Sequence, residues 1–366
     1  MKIVIFGLTV TSSWGNGHAT LWRGLCRALA ARGHSVTFFE RDVPYYAQAR
    51  DLHALSEGEL VLYPSWAEVR SRATRAVAEA DVAIVTSFCP DGLDATEVVL
   101  EGRAFRVFYD LDTPVTLAML SRGEALTYVG PRGLRDFDLV LSYTGGRALD
   151  ELRSRLGARC VMPLYGHVDP QVHRPAPARP EFAADLSYLG TYAPDRQASL
   201  EAMFIEAARR RPDWRFLIGG AQYPQDFPWT KNIFFVRHLP PEDHPAFYAS
   251  SRATLNVTRQ AMAAMGWCPS GRLFEAAACG TAIISDWWEG LDAFFEPGSE
   301  LLIAHSAEDT IAGLSLSDAE LARIAHNGRE RVLSEHTSAA RAAAFEAAIE
   351  AASGGAAGER MQQMEA

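Results

Sequence analysis

Arg272 and Glu275 stand three residues apart in Pro269-Ser270-Gly271-Arg272-Leu273-Phe274-Glu275-Ala276-Ala277-Ala278-Cys279-Gly280-Thr281. That spacing puts a guanidinium and a carboxylate on one face of a helix. A guanidinium can fork onto two phosphate oxygens, a helix N-terminus is itself an anion site, and Gly271 lets a backbone approach closely. A carboxylate one turn further on can accept from the two hydroxyls of a ribose. The same residues also describe a capped core helix carrying an internal Arg–Glu pair, so their neighbours in the fold have to decide between the two readings.

Other residues of the second half point the same way. Gly190-Thr191-Tyr192 ends one expected strand and Arg196 opens the following helix, while Arg259 follows Asn256-Val257-Thr258 at the end of another. Three arginines, Arg196, Arg259 and Arg272, with the Ser270-Gly271 amides, form a plausible diphosphate cradle. Leu239, in His238-Leu239-Pro240-Pro241, can present backbone groups to a base edge, and Trp287-Trp288 suits either stacking on a ligand or closing a core.

In the first half, Trp14-Gly15-Asn16-Gly17-His18 connects a strand to a helix. His18 begins that helix, where the positive end of the dipole favours a neutral, proton-accepting ring suited to general-base work. A histidine that merely packs or bonds the loop is the plainer alternative. The glycines hint at a dinucleotide fingerprint, with Glu40 in the position of a ribose acid, but Thr20 replaces its third glycine and the Gly7-to-Gly15 loop is too long for its tight first turn. Asp110-Leu111-Asp112 has metal-like spacing, yet two carboxylates alone underdetermine a metal site. Asp112 can cap the helix after Pro114 or hold an acceptor hydroxyl. Ser142-Tyr143-Thr144-Gly145-Gly146 is a further strand end, a turn or a site lining.

The elements that must position these groups are legible as alternating apolar runs and amphipathic segments. Strands are expected at Lys2 to Phe6, Ser35 to Glu40, Leu60 to Tyr63, Val82 to Ser87, Arg106 to Tyr109, Leu139 to Tyr143 and Cys160 to Leu164. After a proline-rich stretch from Asp169 to Pro180, read as a semi-rigid linker, strands recur at Asp185 to Gly190, Trp214 to Gly219, Asn232 to Leu239, Ala253 to Thr258, Thr281 to Asp286 and Glu300 to Ala304. Helical segments fill the intervals. Continuous apolar strands alternating with helices mean parallel sheets covered on both faces, so the fold class is α/β, two doubly wound Rossmann-like domains facing across a cleft. The expected division is 1–170, 171–335, a terminal helix at 336–352 returning toward the first domain, and a disordered tail at 353–366.

Composition bounds the function. The 366 residues, 48% hydrophobic and 22% charged, suffice for two full cores. A net charge of −10 disfavours a nucleic-acid partner. Five scattered cysteines without a C-x-x-C suit a reducing compartment and no structural zinc. Neither a signal-peptide layout nor an 18-residue apolar run is present, so a cytoplasmic protein without a membrane span is expected.

Taken together, Ser12 to Thr20, Tyr109 to Pro114, Tyr188 to Tyr192, Leu255 to Arg259 and Pro269 to Thr281 resemble a GT-B glycosyltransferase, and more closely the bacterial CgeB-like branch of spore maturation proteins. The resemblance spans about residues 1 to 350. It implies a hexosyltransferase-type enzyme using a nucleoside diphosphate sugar, UDP-, TDP- or GDP-linked, as co-substrate and no metal or other cofactor. The second domain holds the donor through Gly190, Thr191, Tyr192, Arg196, Leu239, Arg259, Ser270, Gly271, Arg272 and Glu275, with Glu275 on the ribose. The first holds an unidentified hydroxyl acceptor near Trp14, Gly15, Asn16 and Gly17, with His18 or Asp112 as base. Retaining members often carry a second glutamate eight residues before the ribose one; here that position is Trp267, and His18 matches the base of some inverting relatives. A sugar-nucleotide epimerase of similar fold, or a non-catalytic nucleotide-sugar binding protein, is the alternative.

Overall fold

The structure, a computed structural model, describes residues 1–364, with side chains described as far as Gly354. The chain divides into two compact units, Met1–Tyr165 together with the C-terminal segment from Ser338, and Gly166–Thr337. Most of the tail expected at 353–366 lies outside the described side chains, and its last two residues outside the described backbone.

The first unit is built on seven parallel strands: β1 Lys2–Gly7, β2 Ser35–Arg41, β3 Glu59–Tyr63, β4 Val82–Thr86, β5 Phe105–Asp110, β6 Leu139–Ser142 and β7 Val161–Pro163. Their order is β3-β2-β1-β4-β5-β6-β7. Residues Ile3 through Phe6 are all buried because helices cover both faces of the sheet. Val4 and Phe6 join Phe39, Val85, Phe108 and Val140 in one core. On the other face Trp22, from the His18–Ala31 helix, meets Phe38 and Tyr109 edge-on at 5.6 and 5.8 Å between ring centroids. The terminal helix Ser338–Met364 belongs to this unit, tied by Glu346 to Arg32 and His34 beyond the end of the His18–Ala31 helix.

The second unit has six parallel strands: β8 Ala184–Leu189, β9 Phe216–Gly220, β10 Ile233–Arg237, β11 Ser251–Asn256, β12 Ala282–Ser285 and β13 Leu302–Ile303, ordered β10-β9-β8-β11-β12-β13. Leu186, Tyr188, Phe204, Phe216, Leu255 and Ile284 share its core. The helical run after β8, Gln197 to Arg210, contains a π-helical turn, Glu201–Ile205, which turns the consecutive Met203, Phe204 and Ile205 all inward.

The proline-rich stretch is not a spacer between the units. It falls inside the second unit, where His173 is 2% exposed and the Arg179 amide and guanidinium bond Ser250 and Asp243. Its prolines interrupt the periodicity that marks a packed element in sequence, yet the segment lies on the unit through these side chains.

Each sheet reverses its strand order once, between β1 and β4 and between β8 and β11. In open parallel sheets a ligand crevice forms at such a switch point, beyond the carboxyl ends of the strands. Four non-glycine residues have positive φ among the described residues: Phe88 after β4, Gln222 after β9, His238 after β10 and Trp267 ahead of the Gly271–Ala278 helix. The first three lie in connections leaving strand carboxyl ends, where stored backbone strain commonly accompanies function, and Trp267 lies between the Gln260–Met265 and Gly271–Ala278 helices.

Candidate functional site

In the second unit, Arg272 spans the switch point. Its Nη1 donates to the Leu189 carbonyl at the end of β8 (2.7 Å), and its Nη2 to the Val257 carbonyl just after β11 (3.0 Å). Its Nε donates to the Ser270 hydroxyl at 3.1 Å. Ser270 therefore occupies the N-cap position of the Gly271–Ala278 helix without capping it, because its oxygen aims Arg272 instead. Beyond the helix, Gly280 has φ +79°, the left-handed turn its position requires. Ser270, Leu189 and Val257 thus fix the guanidinium through its Nε, Nη1 and Nη2, with the Tyr188 hydroxyl a further partner.

Arg196 converges on the same point, its Nη1 3.3 Å from the Tyr188 hydroxyl and from the Thr191 carbonyl. Gly190 lies beneath both arginines: a Cβ there would come within 3.0 Å of Arg272 Nη1 and 3.2 Å of Arg196 Nη1. Gly190 thus keeps open the space between two guanidiniums. Burial pushes the Tyr188 phenol up, but Arg196 and Arg272 outweigh it and the net shift is downward, the mark of local positive charge seeking an anion. Arg259 does not join that pair directly; its Nε donates to Asp195 at 3.0 Å, one residue before Arg196. The Tyr248 hydroxyl and Asn256 Oδ1 have no hydrogen-bond partner and line a small cavity with Arg272.

Glu275 is 7% exposed, with its carboxylate oxygens 3.8 Å from His173 Nε2 and from His244 Nδ1. The histidines are themselves 3.3 Å apart. Desolvation lowers both imidazoles to about 4, so they are neutral at pH 7. Leu239 is buried, and its carbonyl faces His244 Nε2 at 3.3 Å. Thr191 and Tyr192 continue from Gly190, and the Tyr192 ring packs against Tyr223 and Phe227. Trp287 is exposed and Trp288 buried, one for each of the two roles open to the pair.

In the first unit, His18 and Asp112 come together. His18 Nδ1 is 3.8 Å from Asp112 Oδ2, both side chains being partly exposed, and the Tyr143 ring beyond β6 lies 6.1 Å from the imidazole. The Asn16 side chain accepts from the His18 amide at 3.1 Å, which fixes the helix start. Gly15 has φ +61°, Trp14 is half-buried, and a Cβ on Gly17 would meet nothing within 4 Å. Asp112 is oriented from below, its amide donating to Asp110 Oδ1 at 3.1 Å. Asp110 is fully buried with Oδ2 unpartnered, and desolvation raises its carboxyl to about 6. Glu40 does not serve a nucleotide. It is 1% exposed and accepts from the Val10 and Thr11 amides and from the Thr9 and Thr11 hydroxyls, so its capacity is spent holding the loop after β1.

Residues 196–347 match the family model described as glycosyl transferase-like. The fold is that of GT-B glycosyltransferases. No curated protein matches the sequence. The sucrose-phosphate synthase of Thermosynechococcus elongatus is 16% identical, with a TM-score of 0.67 over 94% of this chain and 97% of that one. Anabaena Alr3699/HepE in complex with UDP and glucose is 12% identical, with a TM-score of 0.65 over 96% and 100%. An α-glucosyltransferase in complex with UDP and a 13-mer DNA is 13% identical, with a TM-score of 0.68 over 96% and 99%. Sequence reasoning missed His173 and His244, which stand 71 residues apart and carry no motif, and gave no role to Tyr188, whose hydroxyl sits between the two arginines. The place of Tyr188 at the end of β8 was the one available signal for it.

Proposed function

We propose that the protein transfers a sugar from a nucleoside diphosphate sugar to an acceptor hydroxyl, with the donor held by the second unit and the acceptor proton taken in the first. The observation that carries this reading is Arg272 bridging the ends of β8 and β11 beside Arg196, with Gly190 leaving the intervening space open. A leaving diphosphate gains negative charge as the glycosidic bond breaks, and guanidiniums already fixed by backbone carbonyls stabilise it without reorganising. No metal is needed for that step. Glu275 accepts from the ribose hydroxyls, and the UDP carried by the structural neighbours supports a uridine donor first, ahead of GDP and TDP.

His18 is the base and Asp112 its orienting partner, which merges two candidates into one dyad. Closing their 3.8 Å gap to hydrogen-bond length places the proton on Nδ1 and leaves Nε2 to accept from the hydroxyl. The transfer is inverting, a reading supported by Trp267 in place of an acidic residue. Its ring packs on Gly290, where a Cβ would fall 2.5 Å away, and edge-on to Phe294. The motifs around Arg259 and Arg272 support the CgeB-like branch. A net charge of −10 favours a small or neutral acceptor over a polyanion. The experiment is a nucleoside diphosphate release assay across donors and acceptor hydroxyls: release that depends on acceptor and is lost in His18→Ala supports the proposal. An altered donor sugar without acceptor would instead mean epimerisation.

A further inference from the structure

Behind Glu275 the fold brings together three groups that share a chemistry beyond ribose binding. His173 arrives from the proline-rich segment, His244 from the first position of the His244–Ala249 helix, and Glu275 from the Gly271–Ala278 helix. His173 Nε2, His244 Nδ1 and a Glu275 oxygen all lie within 4.8 Å of one another, and His173 and Glu275 are buried. Two nitrogens about 2.0–2.1 Å from one tetrahedral ion are roughly 3.3 Å apart. The two imidazole nitrogens are separated by 3.3 Å.

The second observation is the orientation of His244. Its Nε2 faces the Leu239 carbonyl at 3.3 Å, so that nitrogen carries the proton and Nδ1 presents a lone pair toward His173 and Glu275. A ring that donates one N–H to a backbone carbonyl and turns the other nitrogen inward is the arrangement that orients metal-ligating histidines. Two imidazoles and one carboxylate suit a zinc-like ion and are poor for calcium or magnesium, which prefer all-oxygen sites.

We propose that His173, His244 and Glu275 bind a zinc-class divalent cation, and that its occupancy withdraws Glu275 from the donor ribose, so the ion antagonises donor binding. Binding moves the His173 proton from Nε2 to Nδ1 of the same ring, and no other group changes protonation. The cation is not an agent of transfer, because the diphosphate charge is met by Arg196 and Arg272. The antagonism rests on reading Glu275 as the ribose carboxylate; the cation site does not.

The test is calorimetric titration of zinc chloride into the metal-stripped full-length protein without nucleotide, together with cobalt(II) visible absorption. One saturable site is expected, without thiolate-to-cobalt charge transfer. It should weaken by roughly tenfold or more in His244→Ala and in the isosteric Glu275→Gln, with folding of both checked by circular dichroism. Absence of binding, thiolate charge transfer, or affinity unchanged in both variants overturns the site and leaves a hydrogen-bonded histidine pair. With zinc bound, the affinity for UDP should fall; an unchanged affinity overturns the antagonism. A separate UDP titration in chelator distinguishes failure of the donor reading, since the zinc titration is made without nucleotide.

Discussion

In the proposed transfer, Arg196, Arg272 and Glu275 hold the donor while His18 and Asp112 move the proton. His18→Ala should lower kcat by about 10²–10⁴-fold with little change in donor affinity. Asp112→Asn, which leaves the imidazole in place but removes its orienting charge, should cost less and shift the pH–rate profile; equal loss of donor binding in either variant would contradict the division. Asp110 gives a prediction about stability. Its carboxyl is raised from 3.8 to about 6 by burial, so the folded state holds a proton that the unfolded state has released between those values. Stability therefore declines as pH rises from 3.8 through 6, and Asp110→Asn should raise the unfolding free energy above pH 6 by on the order of 1–3 kcal/mol, seen as a higher melting temperature. A melting temperature unchanged at pH 7 and pH 4 alike would show that the carboxyl is not strained. Part of the candidate site was legible at this scale: Arg272, Glu275, His18 and Asp112 stand out by type and position, and the structure brings His18 to Asp112 and Arg272 to the end of β8. Their partners do not stand out, because whether Arg272 bonds Leu189 and Val257, or Glu275 faces His173 and His244, depends on contacts between segments tens of residues apart.

Elements carry the next level. The strands were most readable where both faces of a sheet are covered, so Ile3 to Phe6 in β1, Val82 to Val85 in β4 and Leu139 to Leu141 in β6 are apolar runs that stand out between polar helices. The proline-rich segment misled because proline breaks periodicity whether a chain is free or laid against a domain, and it is the burial of His173 and the bonds of Arg179 that tell the two apart. Gly190 shows what an element end can require. In Gly190→Ala the new methyl meets Arg272 Nη1 and Tyr188 Oη at 3.0 Å and Arg196 Nη1 at 3.2 Å, so the guanidiniums must spread. Nucleotide affinity should drop roughly tenfold or more while the melting temperature changes little, since the neighbours that give way are ends of long side chains. A large fall in melting temperature with affinity intact would place the glycine in the packing instead. The terminal helix gives a pH test. Glu346 is drawn down to about 2, chiefly by its hydrogen bond to Arg32 and then by His34, which also meets the N-terminal amine. Its contribution is present above the unfolded value near 4.5 and is lost as pH falls toward 2. Glu346→Gln should therefore destabilise at pH 6 and not at pH 2, measured by thermal melts at both.

For the whole molecule, two doubly wound sheets each place one switch point, between β1 and β4 and between β8 and β11; the proposed function puts the proton acceptor in the loops after β1 and β5 and the diphosphate where Arg272 joins the ends of β8 and β11. The alternation of strands and helices made this architecture plain from the sequence. The identity of sugar, base and acceptor was not, because those are set by the shape of a filled site rather than by any motif. The proposed function puts a nucleoside diphosphate at the β8–β11 switch point. It is tested most directly by calorimetric titration of UDP, GDP and TDP, in chelator, into the wild-type protein, Arg196→Ala and Arg272→Ala. One nucleotide should bind the wild type and lose roughly 10- to 100-fold in affinity in each variant, the range expected for a lost charge-assisted contact. Binding of none of the three, or equal binding to all three proteins, would contradict the account.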